Sequence, residues 1–463
     1  MNNVAAVILA AGKGTRMKSK LVKVLHPAAG RPMICWPVDA ARSAGAEKIV
    51  LVVGHQSEAV KACFKAGSDI SCALQAEQLG TGHAVACTRE ALAGFNGTVL
   101  ILCGDTPLLR GETLARLVEQ HRFNKATVTV LTAVLDNPFG YGRVIRNEAG
   151  QVSAIVEQKD ATTEQQAVCE INSGIYCMEA GFLFDHIDKL DSNNAQGEFY
   201  LTDLIRIANR MAETCMAVLA EDADEIMGVN DRAQLAVASR ILRRRINHGL
   251  MVSGVSIIDP ELTYIDHGVH IASDTTIYPN SYISGDTVIA SDCTIETGVS
   301  ISNCRIGSGC RIKSGSVLED AELHNDIAVG PMAHLRPGTL LHDHVKIGNF
   351  VETKKAVMGT GSKASHLTYL GDAEIGKEVN VGCGTITCNY DGVNKFRTVI
   401  GDGAFIGSDV QLVAPVTVGA NALVAAGTTV TAEVPADALA ISRVRQRNLL
   451  GWRNKNRDIN PEE

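Results

Sequence analysis

Two short stretches of this chain gather residue types that handle anionic oxygen. The first is LAAGKGTRM, Leu9 to Met17, where Gly12 and Gly14 sit two apart with Lys13 and Arg16 beside them. Glycine lets backbone N–H groups approach an anion with no Cβ in the way, and adjoining cations add charge. Lys23, in LVKVLHP, adds a cation within reach, although a lysine standing alone reads as merely exposed. Asp105 ends the apolar run TVLILCGD. A carboxylate there is costly unless it is paired, hydrogen-bonded or holding a cation. Magnesium suits it, because that ion takes one or two protein oxygens and leaves its other positions to phosphates and water. The spacing G-x-G-T-R fits neither the dinucleotide fingerprint nor the P-loop. The second stretch is ETKKAVMGTGSKASHLTYLGD, in which His366 lies among cations and a tyrosine. A neutral imidazole there could take a proton from an attacking amine.

Different elements must position the two stretches. In the first half, AAVILAA, KIVLVVG, TVLILCGD and TVTVLTAVL read as buried strands, and MICWPVDAARSAG reads as a helix. Short runs rich in Val, Ile and Leu are typical of central parallel strands. Their alternation with helices implies a doubly wound sheet, with its ligand crevice beyond the carboxyl ends of the strands. Both Gly12-Lys13-Gly14 and Gly104-Asp105 fall at such ends. DRAQLAVASRILRRRINHGL, Asp231 to Leu250, reads as an exposed linker helix with a basic end.

After Met251 the period becomes six. Ile265, Ile271, Ile277, Ile283, Ile289, Ile295 and Ile301 follow without a miss, then the register slips by one to Ile306. Later runs carry Leu323, Val329, Leu335 and Leu341, and then Ile400, Ile406, Leu412, Val418, Val424 and Val430. A hexapeptide repeat is a parallel β-helix signature, in which stacked coils bury a shared aliphatic column. Counting by six from Val345 puts Lys363, Tyr369 and Thr387 in inward slots, and CNYDGVNKFRT interrupts the period as an extruded loop. Local rules tend to fail at functional sites, which marks His366, between Lys363 and Tyr369, apart from the other histidines of the repeat.

LAAGKGTRM, Lys23, LQAEQLGTGHA, Gly104-Asp105, GYGRV, IVEQKDA, EINSGIY, NNAQGEFYLTD and MGVND together resemble the nucleotide-sugar pyrophosphorylases. In order and wording they are similar to the bacterial bifunctional N-acetylglucosamine-1-phosphate uridyltransferases/glucosamine-1-phosphate acetyltransferases. The likeness covers nearly the whole chain, because that family also carries a C-terminal β-helix. The fold class it implies is α/β, with a Rossmann-like nucleotidyltransferase domain (1–230), a linker helix (231–250) and a left-handed parallel β-helix with a tail (251–463). The resemblance further implies magnesium, UTP and acetyl-CoA as co-substrates, and a homotrimer.

By the same resemblance Leu9, Ala11, Gly12, Gln75, Gly80 and Thr81 hold the uridine nucleotide, and Gly142, Glu157 and Asn172 hold the amino sugar. Asp105 and Asn230 hold the metal, and Arg16 and Lys23 face the triphosphate. Two plainer readings stay open: Gln75 closes a turn, and Asn172 is a satisfied strand-end amide. In the second half His366 is the implied base for acetyl transfer, with Glu352 as a candidate for orienting it. Arg336, Lys354, Tyr369, Asn380 and Lys395 are implied to bind glucosamine 1-phosphate. Cys383, Asn389, Tyr390, Ser408, Ala426 and Arg443 are implied along the acetyl-CoA path. The chain departs from the family pattern at Cys103, where Tyr is common, and at Cys383, where a small Ala is common. Two rivals are a single-activity pyrophosphorylase whose β-helix only oligomerises, and a non-catalytic nucleotide-sugar sensor. SHLTYLGD with NYDGVNKF speaks against the first, and Asp105 with Asn230 against the second.

Composition bounds these readings. A chain of 463 residues exceeds one ordinary hydrophobic core, so two or more domains are expected. A net charge of -8 lacks the basic face that nucleic acid requires. No apolar stretch approaches the ~20 residues that span a bilayer, and no Lys or Arg precedes VAAVILAA. Thirteen cysteines without a C-x-x-C pair read as thiols of a reducing cytoplasm rather than as disulfides or a zinc site. The tail WRNKNRDINPEE reads as mobile.

Overall fold

The computed structural model describes residues 3–12, 14–54, 56–64 and 69–455. Lys13 and the tail beyond residue 455, both singled out above, lie outside them. The chain falls into two compact units, Met1–Arg243 and Arg244–Glu463.

The first unit is built on a nine-stranded sheet: β1 Val4–Leu9, β2 Lys48–Val53, β3 Ile70–Leu74, β4 Thr98–Cys103, β5 Val128–Val134, β6 Arg143–Arg146, β7 Val152–Val156, β8 Glu170–Glu179 and β9 Cys215–Leu219. Its order is β9-β5-β8-β4-β1-β2-β3, with the β6/β7 hairpin attached to β8. β1, β2 and β4 are apolar almost throughout because both faces are covered. Ala6 and Ile8 pack into one core layer, Ala5 and Val7 into the other. The helix Gly111–Phe123 buries Leu114, Leu117, Val118 and His121, a stripe at helical spacing. β1 runs parallel to β4 with Leu9 opposite Cys103. The glycine loop and Gly104-Asp105 therefore leave the sheet side by side.

The sheet is not parallel throughout. β8 lies antiparallel between β4 and β5. The hairpin β6/β7 precedes it and brings Gly142, Glu157 and Asn172 to the same end as the phosphate loop.

The helix Arg232–Val252 contains the division between the two units. Near its end the buried Asn247 donates to the carbonyls of Pro260 and Thr263, 2.9 and 3.0 Å away, and so fastens the helix end to the first coil.

The second unit is a parallel β-helix of three stacked faces. Ile257 pairs with Ile277 on the first face, Ile265 with Ile283 on the second, and Ile271 with Ile289 on the third. The inward aliphatics form one continuous core. Four residues after an inward aliphatic sits a further buried residue such as Thr275, Thr287, Cys293 or Cys310, and at a shortened corner Cys304 follows Ile301 by three. Val299, Ile327 and Val379 fill the same slot on other coils, and all thirteen cysteines are free.

The count by six from Val345 is corrected by the pairing. At one corner the chain drops a residue, so Ile289 pairs with Ile306, Ile306 with Leu323, Leu341 with Met358 and Met358 with Ile375, each 17 positions on. Val345 itself fills the same slot after Leu341. The inward residues are therefore Ala364 and Leu370, both fully buried, while Lys363 points outward and Tyr369 is half-exposed. Side chains alternate along a strand, so a slip of one exchanges inside for outside. Thr387 does point inward, and the loop expected after it spans the gap to Thr398.

Candidate active sites

A cleft of about 280 Å³ opens at the carboxyl ends of β1 and β4, lined by Leu9, Ala11, Gly12, Lys23, Gln75, Gly80, Thr81 and Asp105. These eight were all named from sequence. A Cβ on Gly12 would meet nothing within 4 Å, so its Cα borders open space. Gly14 has φ +60°, and a Cβ there would lie 2.5 Å from the Lys23 Cβ. Glycine at 14 thus lets the loop turn left-handed and lets Lys23 pack beneath it.

Four polar groups converge in this cleft. Val229 N–H donates to the Asp105 carbonyl at 2.8 Å, which brings the chain carrying Asn230 to the end of β4. The Lys23 ammonium contacts the Asp105 carboxylate and donates to Asn230 Oδ1 at 3.2 Å. Arg16 Nη2 donates to the same oxygen at 2.8 Å. One cationic group thus touches both oxygens expected to hold a metal. A carboxylate and an amide oxygen converging on one cation fit a hard divalent ion that keeps positions free for phosphates.

Gln75, 4% exposed, donates to the Gly80 carbonyl at 3.1 Å and contacts His83. It closes the loop and also lines the cleft, so its two readings coexist. Residues not named individually from sequence complete the walls. Gln78 donates to the Ala11 carbonyl at 2.9 Å, and Glu198 faces the cleft. Both lie inside motifs quoted above, LQAEQLGTGHA and NNAQGEFYLTD, but nothing in their spacing set them apart.

The residues assigned to the amino sugar also meet. Asn172 N–H donates to the Gly142 carbonyl at 2.9 Å, and a Cβ on Gly142 would lie 3.3 Å from the Glu157 carboxylate. Asn172 Oδ1 accepts from Gly174 N–H and from the Tyr176 hydroxyl, so its oxygen is satisfied locally. Burial raises the Glu157 carboxyl above its usual value, and Asp160, Asp203 and Glu198 push it the same way. Cys103 lines the cleft with its sulfur against Gly174, and burial pushes its thiol up to about 12. At neutral pH it is a compact uncharged wall rather than a nucleophile.

In the β-helix, His366 stands exposed at the corner between the first and second faces, paired with Asn349 of the coil before it. Gly384 N–H donates to the Leu367 carbonyl, Asp409 N–H to that of Cys383, and Gly427 N–H to that of Ser408. Asn349, His366, Cys383, Ser408 and Ala426 therefore stack up a single corner, one per coil. Arg443 Nη1 reaches the top of this column, donating to the Ala426 carbonyl at 2.6 Å. The three small residues Cys383, Ser408 and Ala426 are exposed above the imidazole.

The second face holds a cluster of cations. Arg336 and Lys354 occupy equivalent positions on successive coils. Lys395 lies beside Lys354 and, with Arg336, pushes its ammonium below the ordinary lysine range. The three crowded cations make a ready anion site, with the carboxylates of Glu352 and Asp372 near them. Glu352 pairs with Arg336 at 2.8 Å and sits beside Tyr369. Its partner is thus Arg336, not His366 as the sequence reading had it. Asn389 is buried at the loop base and donates to Asp372, while Tyr390 is exposed and bridges to Lys395 across the loop. Asn380 pairs with Lys363 on the first face, so within one chain it lies around the corner from the cations.

Residues 6–167 match the family of MobA-like NTP transferase domains, 265–358 the GMPPB C-terminal domain, and 397–432 the six-repeat bacterial transferase hexapeptide. The chain is 72% identical over 98% of both chains to the bifunctional protein GlmU of Pelobacter propionicus. It is 63% identical to the GlmU of Trichlorobacter lovleyi over 98% of this chain and 99% of the relative. It is 48% identical to that of Listeria monocytogenes over 98% of each.

Proposed function

The chain belongs to the family of bifunctional GlmU proteins, and from that premise we infer that it makes UDP-N-acetylglucosamine in two steps. The β-helix acetylates glucosamine 1-phosphate with acetyl-CoA. The Rossmann-like unit then transfers UMP from UTP to N-acetylglucosamine 1-phosphate and releases pyrophosphate. The observation that carries this reading is that one chain holds two anion-handling constellations, one at the strand ends of an α/β sheet and one on a left-handed β-helix.

In the first step the sugar amine attacks the acetyl carbon, a C–N bond forms, and the C–S bond to coenzyme A breaks. His366 accepts the proton that the amine loses, as a general base. Arg336, Lys354 and Lys395 hold the sugar phosphate, and Tyr369 lines its place. The exposed small residues Cys383, Ser408 and Ala426 leave room for the pantetheine arm, with Arg443 at the far end and Asn389 and Tyr390 supplied by the loop.

In the second step an oxygen of the sugar phosphate attacks the α-phosphorus of UTP. Such a transfer needs alignment and charge neutralisation more than a protein acid or base. Gly12 and its neighbours present backbone N–H groups, and Arg16 and Lys23 face the triphosphate. Leu9, Ala11, Gln75, Gly80 and Thr81 enclose the uridine, and Gly142, Glu157 and Asn172 the sugar. Nucleotidyltransferases of this kind depend on a metal; Asp105 and Asn230 would hold magnesium here, which when bound neutralises phosphate charge.

We further propose that the working form is a homotrimer. Asn380 and the cation cluster lie on different faces of one coil, and a convex corner cannot close around a substrate. At the corner beside His366, Met332, Phe350 and Leu367 follow one another on successive coils with φ of 52°, 58° and 36°. Bulky side chains rarely adopt that region, yet these three remain 57–60% exposed. Contiguous exposed apolar groups of this kind support a covering partner, and a second copy would bring its own first face to the cations. Thirteen free thiols support a cytoplasmic location. Among the described residues no helix is long and apolar enough to cross a membrane.

The test supplies glucosamine 1-phosphate, acetyl-CoA, UTP and magnesium, and omits each in turn. Pyrophosphate release should need all four. His366→Ala should abolish it with glucosamine 1-phosphate but not with N-acetylglucosamine 1-phosphate. Asp105→Asn should stop pyrophosphate release while coenzyme A release continues. Undiminished coenzyme A release by His366→Ala would overturn the reading of the second site.

A further inference from the structure

Arg143 is the largest of the fully buried side chains, 2% exposed in the middle of the β6–β7–β8 ribbon, opposite Val156 on one side and Ile171 on the other. A guanidinium cannot lose its proton to escape such burial, so its surroundings must compensate. Among the described residues no carboxylate pairs with it. Its partners are neutral: Nη1 donates to the Tyr141 carbonyl, and Nη2 to Gln158 Oε1 at 2.8 Å. Nε has no hydrogen-bond partner. Burying a cation against neutral acceptors is expensive, and a neutral core residue would serve stability better.

The hydrogen bonds show what the arrangement achieves. Gln158 Oε1 also accepts from Gly140 N–H at 3.1 Å. One guanidinium therefore holds the turn Gly140-Tyr141 at two points, directly at the Tyr141 carbonyl and through Gln158 at the Gly140 amide. The next residue is Gly142, whose carbonyl takes the Asn172 N–H and whose Cα lies against the Glu157 carboxylate. Glu157 adjoins Gln158 in sequence. The clamp thus fixes the turn, Gly142 and the Glu157 strand end relative to one another. Tyr141 is also close enough to Asp105 for that charge to raise its phenol above the ordinary value, behind the dominant effect of burial.

We propose that Arg143, acting through Tyr141 and Gln158, is the positioning residue of the amino-sugar subsite in uridylyl transfer. The proposal rests on the reading of Gly142, Glu157 and Asn172 as that subsite. Arg143 touches no substrate. It keeps the subsite closed to its working width before the sugar phosphate arrives, so that binding does not have to order the turn. The nucleotide side of the cleft, held by the glycine loop and Gln75, does not depend on it.

The experiment measures pyrophosphate release by the full-length protein while UTP and N-acetylglucosamine 1-phosphate are varied separately. Arg143→Met keeps the side-chain bulk and removes both bonds. It should raise KM for the sugar phosphate about tenfold, the scale of losing charge-assisted hydrogen bonds, and leave KM for UTP within about twofold. Gln158→Ala, a milder change at a half-buried position, should move the same constant in the same direction by less. Arg143→Lys, which retains charge but not the fork, should fall between wild type and Arg143→Met. Coenzyme A release by each variant should match wild type. Equal losses in both KM values, or an unchanged sugar-phosphate KM in Arg143→Met and Gln158→Ala, would overturn the proposal. If Arg143→Met does not fold, Gln158→Ala decides alone. Failure of the wild type to use N-acetylglucosamine 1-phosphate would instead sink the reading of the subsite.

Discussion

Leu370 and Tyr369 are chain neighbours with opposite expected phenotypes, which makes the corrected register of the β-helix directly testable. Leu370 is fully buried in the shared core, and its backbone partner in the coil before is Thr353. Leu370→Ala removes three carbons, about 2.4 kcal/mol at roughly 0.8 kcal/mol each. If the coils do not relax, a void of roughly 80 Å³ adds about 1.9 kcal/mol more. A β-helix coil contacts mainly the coils above and below it, so the loss should stay local. Hydrogen exchange on the intact protein is the suitable assay, because it reads opening coil by coil. Amides of coils 346–388 should lose protection about 50- to 1,000-fold, at roughly one decade per 1.4 kcal/mol, while amides of the first unit stay unchanged. Tyr369→Phe should leave protection unaltered, since its hydroxyl lies over Gly371 at the surface of the coil, and should slow acetyl transfer. If Leu370→Ala left protection intact while Lys363→Ala or Tyr369→Phe loosened the coil, the assignment of inside and outside would be wrong.

Three further outcomes are expected. Lys23→Met removes the ammonium that contacts Asp105 and Asn230, so the nucleotide-free protein should bind Mn²⁺ several-fold more tightly by paramagnetic resonance, with a higher KM for UTP; unchanged metal affinity would show that the lysine does not compete for that place. The Glu157 carboxyl is raised by burial and then by neighbouring acids, so it keeps its proton to a higher pH than a free glutamate. Sugar-phosphate affinity should therefore decline as pH falls through that raised value and recover above it, and Glu157→Gln should flatten this acid limb; an identical limb in the variant would assign it to another group. Phe350→Asp places a carboxylate in the exposed apolar row, and sedimentation should show a monomer that has lost acetyl transfer but retains uridylyl transfer; a trimer with full acetyl transfer would exclude that row from the interface.

The sequence by itself determined the elements and most of the chemistry. Uniform apolar runs marked β1, β2, β4 and β5, because strands covered on both faces leave no polar positions. The six-residue period marked the β-helix, because each coil buries the same slot. In the nucleotide cleft Gly12 and Asp105 were legible because their motifs leave the sheet at the ends of adjacent strands, whereas Leu9, Ala11, Gln75, Gly80 and Thr81 were named through the family resemblance alone. What the tertiary structure decided were matters of pairing and parity. The antiparallel entry of β8 was not visible in its residues, since the mixed polar and apolar pattern of EINSGIYCME carries no mark of strand direction. Two of the four shortened coils escaped notice, at 353–358 because Val357 and Met358 are both aliphatic, and at 370–375 because the second loss brings the count by six back onto the inward Ile375. That one-residue loss reversed inside and outside for Lys363 and Tyr369. Arg143 was hidden for a related reason. A cation in a strand reads as a surface residue, and only the folded ribbon shows it enclosed by neutral partners, with its charge spent on holding a turn.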